Sequence, residues 1–299
     1  MKKILDWFRS KKTRPFTGQK DVNTVPLNDE QMSGAQPRIP RVEPQQLVFG
    51  CGQSVGKQRD HNEDSVLAFS MAVGGEGNNY PFGLFVVADG MGGHQYGEVA
   101  SSSAVRSMAG YLLKRFHPYL VNPANGIDEP LQDLMRTAIQ EAQRAVTQAV
   151  PGSGTTLTAA LVLGQQVTIG HVGDSRAYAV RPDGRMDPIT RDHSLVKRLE
   201  ELGQISSDEA VAHPQRNVLY RAIGQGESLE ADVFTTPFPQ PGYLLLCSDG
   251  LWSVVPDDHL FKIIQEAPNL HNACQGMVTA ANNAGGPDNI SMILVQLLG

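Results

Sequence analysis

The chain has 299 residues, with 25 basic and 31 acidic side chains and a formal net charge of −6. Hydrophobic residues make up 40% and charged residues 19% of the sequence, which suits a folded chain and argues against wholesale disorder. Because domains usually hold roughly 100–200 residues, one large domain or two small ones would fit. No run of residues approaches the about 18 apolar positions that a transmembrane helix needs, and we expect no secretory signal.

Cysteine usage and net charge limit the compartment and the class of ligand. The three cysteines, Cys51, Cys247 and Cys274, are odd in number and form no C-x-x-C pair. This pattern disfavours a disulfide scaffold or a zinc site and suits a reducing cytoplasm. A net-acidic chain is also a poor match for nucleic acid, which attracts basic surfaces. We therefore expect a cytoplasmic protein that does not bind nucleic acid.

The first 46 residues differ from the rest of the chain. They hold nine basic and five acidic residues, so their net charge is +4 and that of residues 47–299 is −10. Their five prolines, separated by polar residues, predict a flexible tail over 1–46, because such a composition buries too little apolar surface to offset chain entropy. Residues 1–12 could form a basic helix that contacts a membrane surface or a partner, or could remain a frayed tail. The frayed tail is favoured because so short a segment is not stable as an isolated helix.

After the tail, strands and helices are predicted in blocks. Apolar residues that recur every three and four positions predict a helix over 131–149. Three β-rich segments, 155–163, 166–170 and 176–181, predict an antiparallel meander, and 194–224 has helical and turn character. The other predicted strands cover 65–69, 83–88, 243–247 and 290–297, and the other predicted helices cover 96–116, 258–266 and 271–283. Because the two kinds of element do not alternate strictly, an α+β fold is favoured over a doubly wound parallel sheet.

An aspartate stands at the start or the end of several predicted strands. These aspartates are Asp64, Asp89, Asp174, Asp249 and Asp288. Each one alone is an ordinary turn residue. Clustered carboxylates, however, repel one another unless a cation lies between them, and Mg²⁺ and Mn²⁺ prefer oxygen ligands. Two such ions about 3.5–4 Å apart can activate a water for attack on phosphorus.

Short motifs around these aspartates follow one another in a recognisable order. They are R-D-H-N-E-D at 59–64, V-A-D-G-M-G-G-H at 87–94, G-T-T at 154–156, G-D-S-R at 173–176, D-H-S at 192–194, S-D-G at 248–250 and D-N at 288–289. This ordered set resembles the PP2C-type metal-dependent protein serine/threonine phosphatases, most closely their bacterial branch. The resemblance implies a four-layer αββα sandwich, in which helices flank two antiparallel β-sheets, and one catalytic domain over 47–299 behind the tail.

The resemblance also implies a set of metal ligands. Two Mn²⁺ or Mg²⁺ ions are expected, bridged by the carboxylates that match Asp64 and Asp89. The backbone carbonyl that matches Gly90 is a further ligand. Asp249 and Asp288 match the aspartates that complete the site of the other ion.

Three further residues match positions with roles in the family. Glu63 matches a residue that holds a metal-bound water, and Asp174, together with Asp249, matches the ligands of a third, weaker ion. Arg59 matches the arginine that grips the substrate phosphate, which suits the fork of a guanidinium. Two alternatives remain open from the residues themselves: Asp174 orients a turn, or Arg59 forms a surface ion pair.

The reaction implied by the resemblance is hydrolysis by a water activated between the two ions, so we expect no protein nucleophile and no role for the cysteines. Met91 stands where animal members of the family have a histidine, and a thioether cannot donate a proton. His94 is interpreted as a structural residue, and a water at the metal ions is the alternative proton donor. Residues 192–224 resemble the flap beside the family's active site.

The sequence thus predicts a protein-serine/threonine phosphatase that acts on phosphorylated proteins, opposes a Ser/Thr kinase in bacterial signalling and works as a monomer. One alternative is a catalytically weak regulatory domain of the same fold that binds a phosphoprotein. That alternative predicts a broken metal set, whereas Asp64, Asp89, Asp249 and Asp288 are all present. In a third interpretation the tail makes the protein an adaptor, with catalysis secondary.

Overall fold

The computed structural model describes residues 44–72, 80–92, 95–122, 126–226 and 229–299. The predicted tail, apart from its last three residues, lies outside these ranges, as do the helix considered for residues 1–12 and His94. Within the described ranges, no helix has the length and apolar character to cross a membrane. The predicted domain boundary after residue 46 stays a prediction, and the first described strand begins at Gln46.

Strands and helices of the described residues come in blocks, as expected for an α+β fold. The strands are β1 (Gln46–Ser54), β2 (Asp64–Met71), β3 (Phe82–Met91), β4 (Gly154–Thr155), β5 (Leu157–Leu163), β6 (Gln166–Val172), β7 (Arg176–Val180), β8 (Met186–Pro188), β9 (Asp232–Pro237), β10 (Tyr243–Cys247) and β11 (Ile290–Leu298). The helices are α1 (Gln95–Val121), α2 (Leu131–Ala149), α3 (Leu195–Glu201), α4 (Ser207–Ala212), α5 (Asp249–Trp252), α6 (Asp257–Glu266) and α7 (Leu270–Asn283).

The strands form two antiparallel sheets. One has the order β1-β11-β10-β7-β8, and the other has the order β2-β3-β5-β6-β9, with β4 paired to the end of β3. Every pair of neighbours in both sheets is antiparallel. The second sheet combines two strands from before α1 with strands from after α2, and β1 and β11 join the two ends of the described domain in the first sheet.

Strand β3 shows how the layers are built. Its side chains alternate between two faces, and both faces are buried. Leu84 and Val86 belong to the core that α1 and α2 cover. Phe85 and Val87 point the other way and pack in a second core with residues of β10 and β11, such as Leu246. A continuous apolar run is therefore required here, because the strand lies between a helical layer and the other sheet.

A third core completes the sandwich. Leu245 and Cys247 of β10 pack on their outer side with residues of α6 and α7, including Leu260 and Met277. The order of layers is therefore helices, sheet, sheet, helices. This confirms the four-layer αββα architecture that the resemblance implied.

The predicted meander over 155–181 is only partly correct. Strands β5 and β6 pair with each other, as predicted, but β7 crosses to the other sheet and pairs with β10 and β8. The crossing occurs at Gly173, whose φ of +108° suits glycine, and a Cβ there would lie 2.6 Å from Thr156. The crossing carries Asp174 to the junction between the sheets.

Three strands were not predicted. Strand β1 contains two glycines, Gly50 and Gly52, which weaken its alternating pattern. Strand β8 has three residues, and β9 is a partly exposed edge strand that ends in a proline. Edge and interrupted strands carry weak periodicity because only part of their surface is buried.

Candidate metal centre

The pairing of β2 with β3 brings the first two predicted metal ligands together. Asp64 begins β2, and Asp89 lies near the end of β3 as its direct cross-strand partner. Directly opposed residues of an antiparallel pair have Cβ atoms about 4.5–5.5 Å apart. Two carboxylates are therefore held side by side by backbone register alone.

The third carboxylate comes from the other sheet. Asp249 opens α5 directly after β10, and the preceding residue, Ser248, donates a hydrogen bond from its Oγ to Asp64 Oδ2 at 2.8 Å. This bond ties the end of β10 to the start of β2. We refer to Glu63, Asp64, Asp89 and Asp249 as the carboxylate cluster.

Glycines allow the backbone segments around the cluster to meet. At Gly90, a Cβ would overlap the carbonyl oxygen of Gly97 and would lie 2.6 Å from that of Glu63. At Gly250, a Cβ would overlap the carbonyl oxygen of Asn289. Only glycine permits this approach, which sets the Gly90 backbone, the predicted carbonyl ligand, against Glu63.

Several oxygens of the cluster are buried without a hydrogen-bond partner among the described residues. They are Glu63 Oε1, Asp64 Oδ1 and Asp249 Oδ1. The His61 imidazole approaches Glu63 Oε1 only to 3.5 Å, beyond the distance of a good hydrogen bond. Burial raises the pKa of Asp64, Asp89 and Asp249, and repulsion between the carboxylates adds to the rise.

This donor set fits hard divalent cations. Unpartnered buried carboxylate oxygens are costly in the protein alone, and a cation would satisfy them. Within the described ranges, no three or more His, Cys, Asp or Glu side chains are arranged so that they could hold a metal ion by themselves. The fit rests on the unpartnered oxygens, and Mg²⁺ keeps several waters and uses only one or two protein carboxylates.

Asp288 and Arg59 lie at the edge of the cluster and contact each other. The Arg59 guanidinium donates from Nη2 to Asp288 Oδ2 at 2.8 Å, and the Asn289 amide donates to Asp288 Oδ1 at 2.8 Å. The ion pair that the sequence left open for Arg59 is therefore present. About half of the Arg59 side chain is exposed, and a guanidinium has five N–H donors, so donors remain for a phosphate.

Asp174 is buried, and burial and then the charge of Asp249 raise its pKa. Its backbone carbonyl accepts a hydrogen bond from Trp252 Nε1 at 3.0 Å. Arg176 stacks on the Trp252 ring at 3.5 Å and binds both carboxylate oxygens of Asp192. We call Arg176, Asp192 and Trp252 the flap anchor, because Asp192 opens the flap.

The sequence did not predict the residues that position the cluster. The Asn289 side chain accepts a hydrogen bond from the Glu63 amide at 2.7 Å and donates to the carbonyls of Val55 and His61, both at 2.9 Å. Thr155 Oγ1 donates to the Asp89 carbonyl at 2.8 Å. Both residues lie in the quoted motifs, D-N and G-T-T, but motif position does not reveal which backbone groups a side chain binds.

Comparisons with known proteins agree with this geometry. The family model for protein phosphatase 2C matches residues 51–282 of the chain. The serine/threonine phosphatase stp of Listeria welshimeri is 37% identical over 247 residues, which covers 81% of this chain and 92% of that relative. The crystal structure of Stp1 from Staphylococcus aureus matches with a TM-score of 0.70 at 32% identity, over 85% of this chain and 96% of that chain.

A further solved structure is relevant to the metal. The catalytic domain of the serine/threonine protein phosphatase PstP, in complex with two manganese ions, matches with a TM-score of 0.67 at 29% identity. That match covers 85% of this chain and 99% of the PstP chain. The chain described here therefore belongs to the protein phosphatase 2C family, in its bacterial branch.

Proposed function

We propose that this protein phosphatase hydrolyses phosphoserine and phosphothreonine in proteins, with two Mn²⁺ or Mg²⁺ ions bound at the carboxylate cluster. The observation that carries the proposal is the set of buried, unpartnered oxygens on Glu63, Asp64 and Asp249. Divalent ions at this site would lower the pKa of a bound water and offset negative charge on the phosphate. The manganese complex of PstP supports the metal type for a relative.

Each ligand has a structural reason for its role. Asp64 and Asp89 are cross-strand partners, so both would be available to hold the ions. The hydrogen bond from Ser248 engages Asp64 Oδ2 and leaves Asp64 Oδ1 for a metal. The Gly90 carbonyl, Asp249 and Asp288 would supply the remaining ligands, and Glu63 would hold a water. Asp174 and Asp249 together would hold a third, weaker ion.

Arg59 is proposed to bind the substrate phosphate. Its guanidinium is anchored to Asp288, a proposed metal ligand, and is about half exposed. A planar guanidinium can bind two phosphate oxygens at once, which orients the ester for attack. The ion pair with Asp288 would thus hold the Arg59 guanidinium, which binds the phosphate, at a fixed position beside the ions.

The cysteines do not supply a nucleophile. Cys247 and Cys274 are buried, and burial raises the pKa of both thiols, that of Cys274 to about 12. Burial also raises the pKa of Cys51, which is half-buried. Only a thiolate is an effective nucleophile, and these thiols stay protonated at neutral pH.

We propose phosphorylated proteins as substrates because the relatives carry the name serine/threonine phosphatase. A Ser/Thr kinase that the enzyme opposes, a monomeric state and a cytoplasmic location belong to the same proposal. The alternative of a non-catalytic phosphoprotein-binding domain is not favoured, because the aspartates of the metal set are present and Asp64 and Asp89 are direct cross-strand partners.

Hydrolysis of a phosphothreonine peptide tests this function. We expect phosphate release with Mn²⁺, none in excess chelator, and a loss of at least about 100-fold in kcat/KM for the Asp64→Asn variant. Asp187→Asn, which neutralises a half-exposed aspartate of β8, is the control and should behave as wild type. Turnover that persists in excess chelator would contradict the metal-dependent reaction.

A further inference from the structure

A polar cavity of about 420 Å³ is lined mainly by residues of the flap, and no member of the carboxylate cluster lines it. Three arginines line it, together with a histidine, a tyrosine and an aspartate: Arg191, Arg198, Arg221, His193, Tyr220 and Asp232. We propose that this cavity is a subsite for an anionic group of the phosphoprotein substrate, either a carboxylate or a second phosphoryl group near the scissile one. This inference rests on the proposed function and names the substrate class more closely.

Two of the arginines share one carboxylate. Arg191 donates a hydrogen bond from Nη2 to Glu201, and Arg198 Nη1 lies 3.9 Å from the same Glu201 oxygen, too far for a hydrogen bond. Both guanidiniums are about half exposed, and each has five N–H donors. The pair therefore has far more donor capacity than Glu201 can use, and an oxyanion with several acceptor oxygens would match it.

The third arginine faces the cavity from the end of the flap. Arg221 donates from Nη2 to Glu230 at 2.6 Å and lies 3.4 Å from Asp232 through Nη1. Glu230 is 79% exposed, so this pair is strongly hydrated and contributes little to holding the guanidinium in place. Arg221 can therefore offer the N–H groups that now contact Glu230 to a ligand, while the contact with Asp232 keeps the guanidinium beside the cavity.

The positive and negative side chains around the cavity are equal in number, so an anion has to compete with the carboxylates for the arginines. Three guanidiniums stand against the three carboxylates Glu201, Glu230 and Asp232. An incoming anion would therefore displace Glu201 from Arg191 and Arg198, and it would not enter a region of excess positive charge. It follows that removing the Glu201 charge should strengthen anion binding.

His193, which lines the cavity, is hydrogen-bonded to the segment that carries Asp174. His193 is 1% exposed, its backbone amide donates to the Gly173 carbonyl at 2.7 Å, and its Nδ1 accepts from the Gly173 amide at 3.1 Å. Gly173 directly precedes Asp174, a proposed metal ligand. The His193 side of the cavity is therefore hydrogen-bonded to the segment that carries Asp174, and in this proposal a single substrate chain would reach both sites.

Direct binding is the first test, and it does not depend on catalysis. We would measure the anisotropy of a labelled, unphosphorylated peptide with three glutamates, and of the same peptide with three glutamines, on the full chain. The glutamate peptide should bind about tenfold more tightly, since charge-assisted hydrogen bonds are the strong ones. Arg198→Gln should abolish this preference, and Glu201→Gln should increase it.

The matched control is Arg185→Gln, which removes an exposed arginine that is paired with Asp183 outside the cavity. It should leave the preference as in wild type. Equal affinity for the two peptides, or a preference that Arg198→Gln does not change, would overturn the subsite.

Kinetics then distinguish the subsite from the proposed function. The substrates are phosphothreonine peptides flanked by glutamates, by glutamines or by a phosphoserine, and p-nitrophenyl phosphate, which has no flanking residues. A higher kcat/KM for the glutamate or the phosphoserine peptide, lost in Arg198→Gln, supports the subsite and tells which anion it prefers. Equal values for all three peptides overturn the subsite while the function stands. Glutamate-dependent binding without hydrolysis of any substrate supports the subsite and overturns the function.

Discussion

The carboxylate cluster and the flap anchor are both polar groups with buried carboxylates, but their charges are satisfied in different ways. In the cluster, Asp64 Oδ1 and Asp249 Oδ1 have no hydrogen-bond partner in the described part of the chain. In the flap anchor, Arg176 binds both oxygens of Asp192 at 2.7–3.2 Å and stacks on Trp252. The charges of the flap anchor are satisfied by other protein groups, whereas those of the carboxylate cluster are not.

The difference separates a binding site from a structural support. Burying an uncompensated carboxylate costs several kcal/mol, so a cluster with such oxygens indicates a ligand outside the polypeptide. A buried ion pair with all its hydrogen bonds made indicates that the protein itself is the partner. Neutralising one acid of the cluster should therefore relieve repulsion between the carboxylates. Removing a partner in the flap anchor, or a residue packed next to it, should instead lower the stability of the protein or weaken the positioning of the metal ligands.

The largest effect is expected for Asp249→Asn. This change should lower Mn²⁺-dependent kcat/KM by at least about 100-fold, because it removes a proposed ligand of the ions. In excess chelator, however, the variant should unfold about 2–4 °C above wild type, since relief of about 1 kcal/mol of repulsion shifts the midpoint by that amount in a domain of this size. Thermal unfolding followed by circular dichroism, with and without Mn²⁺, measures both the rise and the lost metal response.

The control for this comparison is Asp133→Asn, which neutralises an exposed aspartate at the start of α2. It should keep wild-type activity and the rise in midpoint with Mn²⁺. If Asp249→Asn destabilised the chelated protein as strongly as an ordinary core mutation, the cluster would be a satisfied structural network and the comparison would fail.

A smaller effect, on the free energy of unfolding, should come from the titration of His171 next to the flap. His171 is fully buried, its Nε2 donates to the Arg191 carbonyl at 3.0 Å, and its ring lies 4.8 Å from His193. Burial, and then the charge of His193, lower the pKa of His171 to about 4. Below about pH 6.5 the unfolded chain gains a proton that the folded chain does not, so the free energy of unfolding should fall by about 2–3 kcal/mol between pH 6.5 and pH 4.

Urea unfolding of metal-free protein across this pH range measures the effect. His171→Gln should flatten the fall by roughly this amount, because the variant has no imidazole to titrate. His259→Gln, which replaces an exposed imidazole of α6, should keep the wild-type slope. An unchanged slope in His171→Gln would show that His171 does not stay neutral in the folded protein.

The smallest effect is expected at the contact between the flap anchor and Asp174, a proposed ligand of the third ion. Trp252→Phe removes the hydrogen bond to the Asp174 carbonyl but keeps an aromatic ring against Arg176. Loss of one hydrogen bond, about 1 kcal/mol, should raise the Mn²⁺ concentration for half-maximal activity by about fivefold while kcat at saturating Mn²⁺ changes little. Trp7→Phe, at the other tryptophan of the chain, is the control, and an identical Mn²⁺ response in both variants would contradict the role of Trp252.

Local sequence accounts for most elements and for the candidate ligands. Helix α2 was predicted to its last residue, because six apolar side chains recur on one face and all are buried. The buried strand β3 and the aspartate at its end follow equally from an apolar run and a turn signal. Strands β1 and β9 were missed, since an edge strand or one with glycines carries little periodicity of its own.

The sequence by itself determined the residue types of the site, the amphipathic helices and the α+β class, because these depend on neighbours within a few positions. Only the tertiary structure decided which carboxylates meet. The register of β2 with β3 pairs Asp64 with Asp89, and the crossing at Gly173 sends β7 to the other sheet and places Asp174 in the connection that precedes β7. The tertiary structure also decided which carboxylate oxygens find a hydrogen-bond partner and which do not. The bond from Ser248 to Asp64 spans more than 180 positions, so it depends on packing and not on the local sequence pattern.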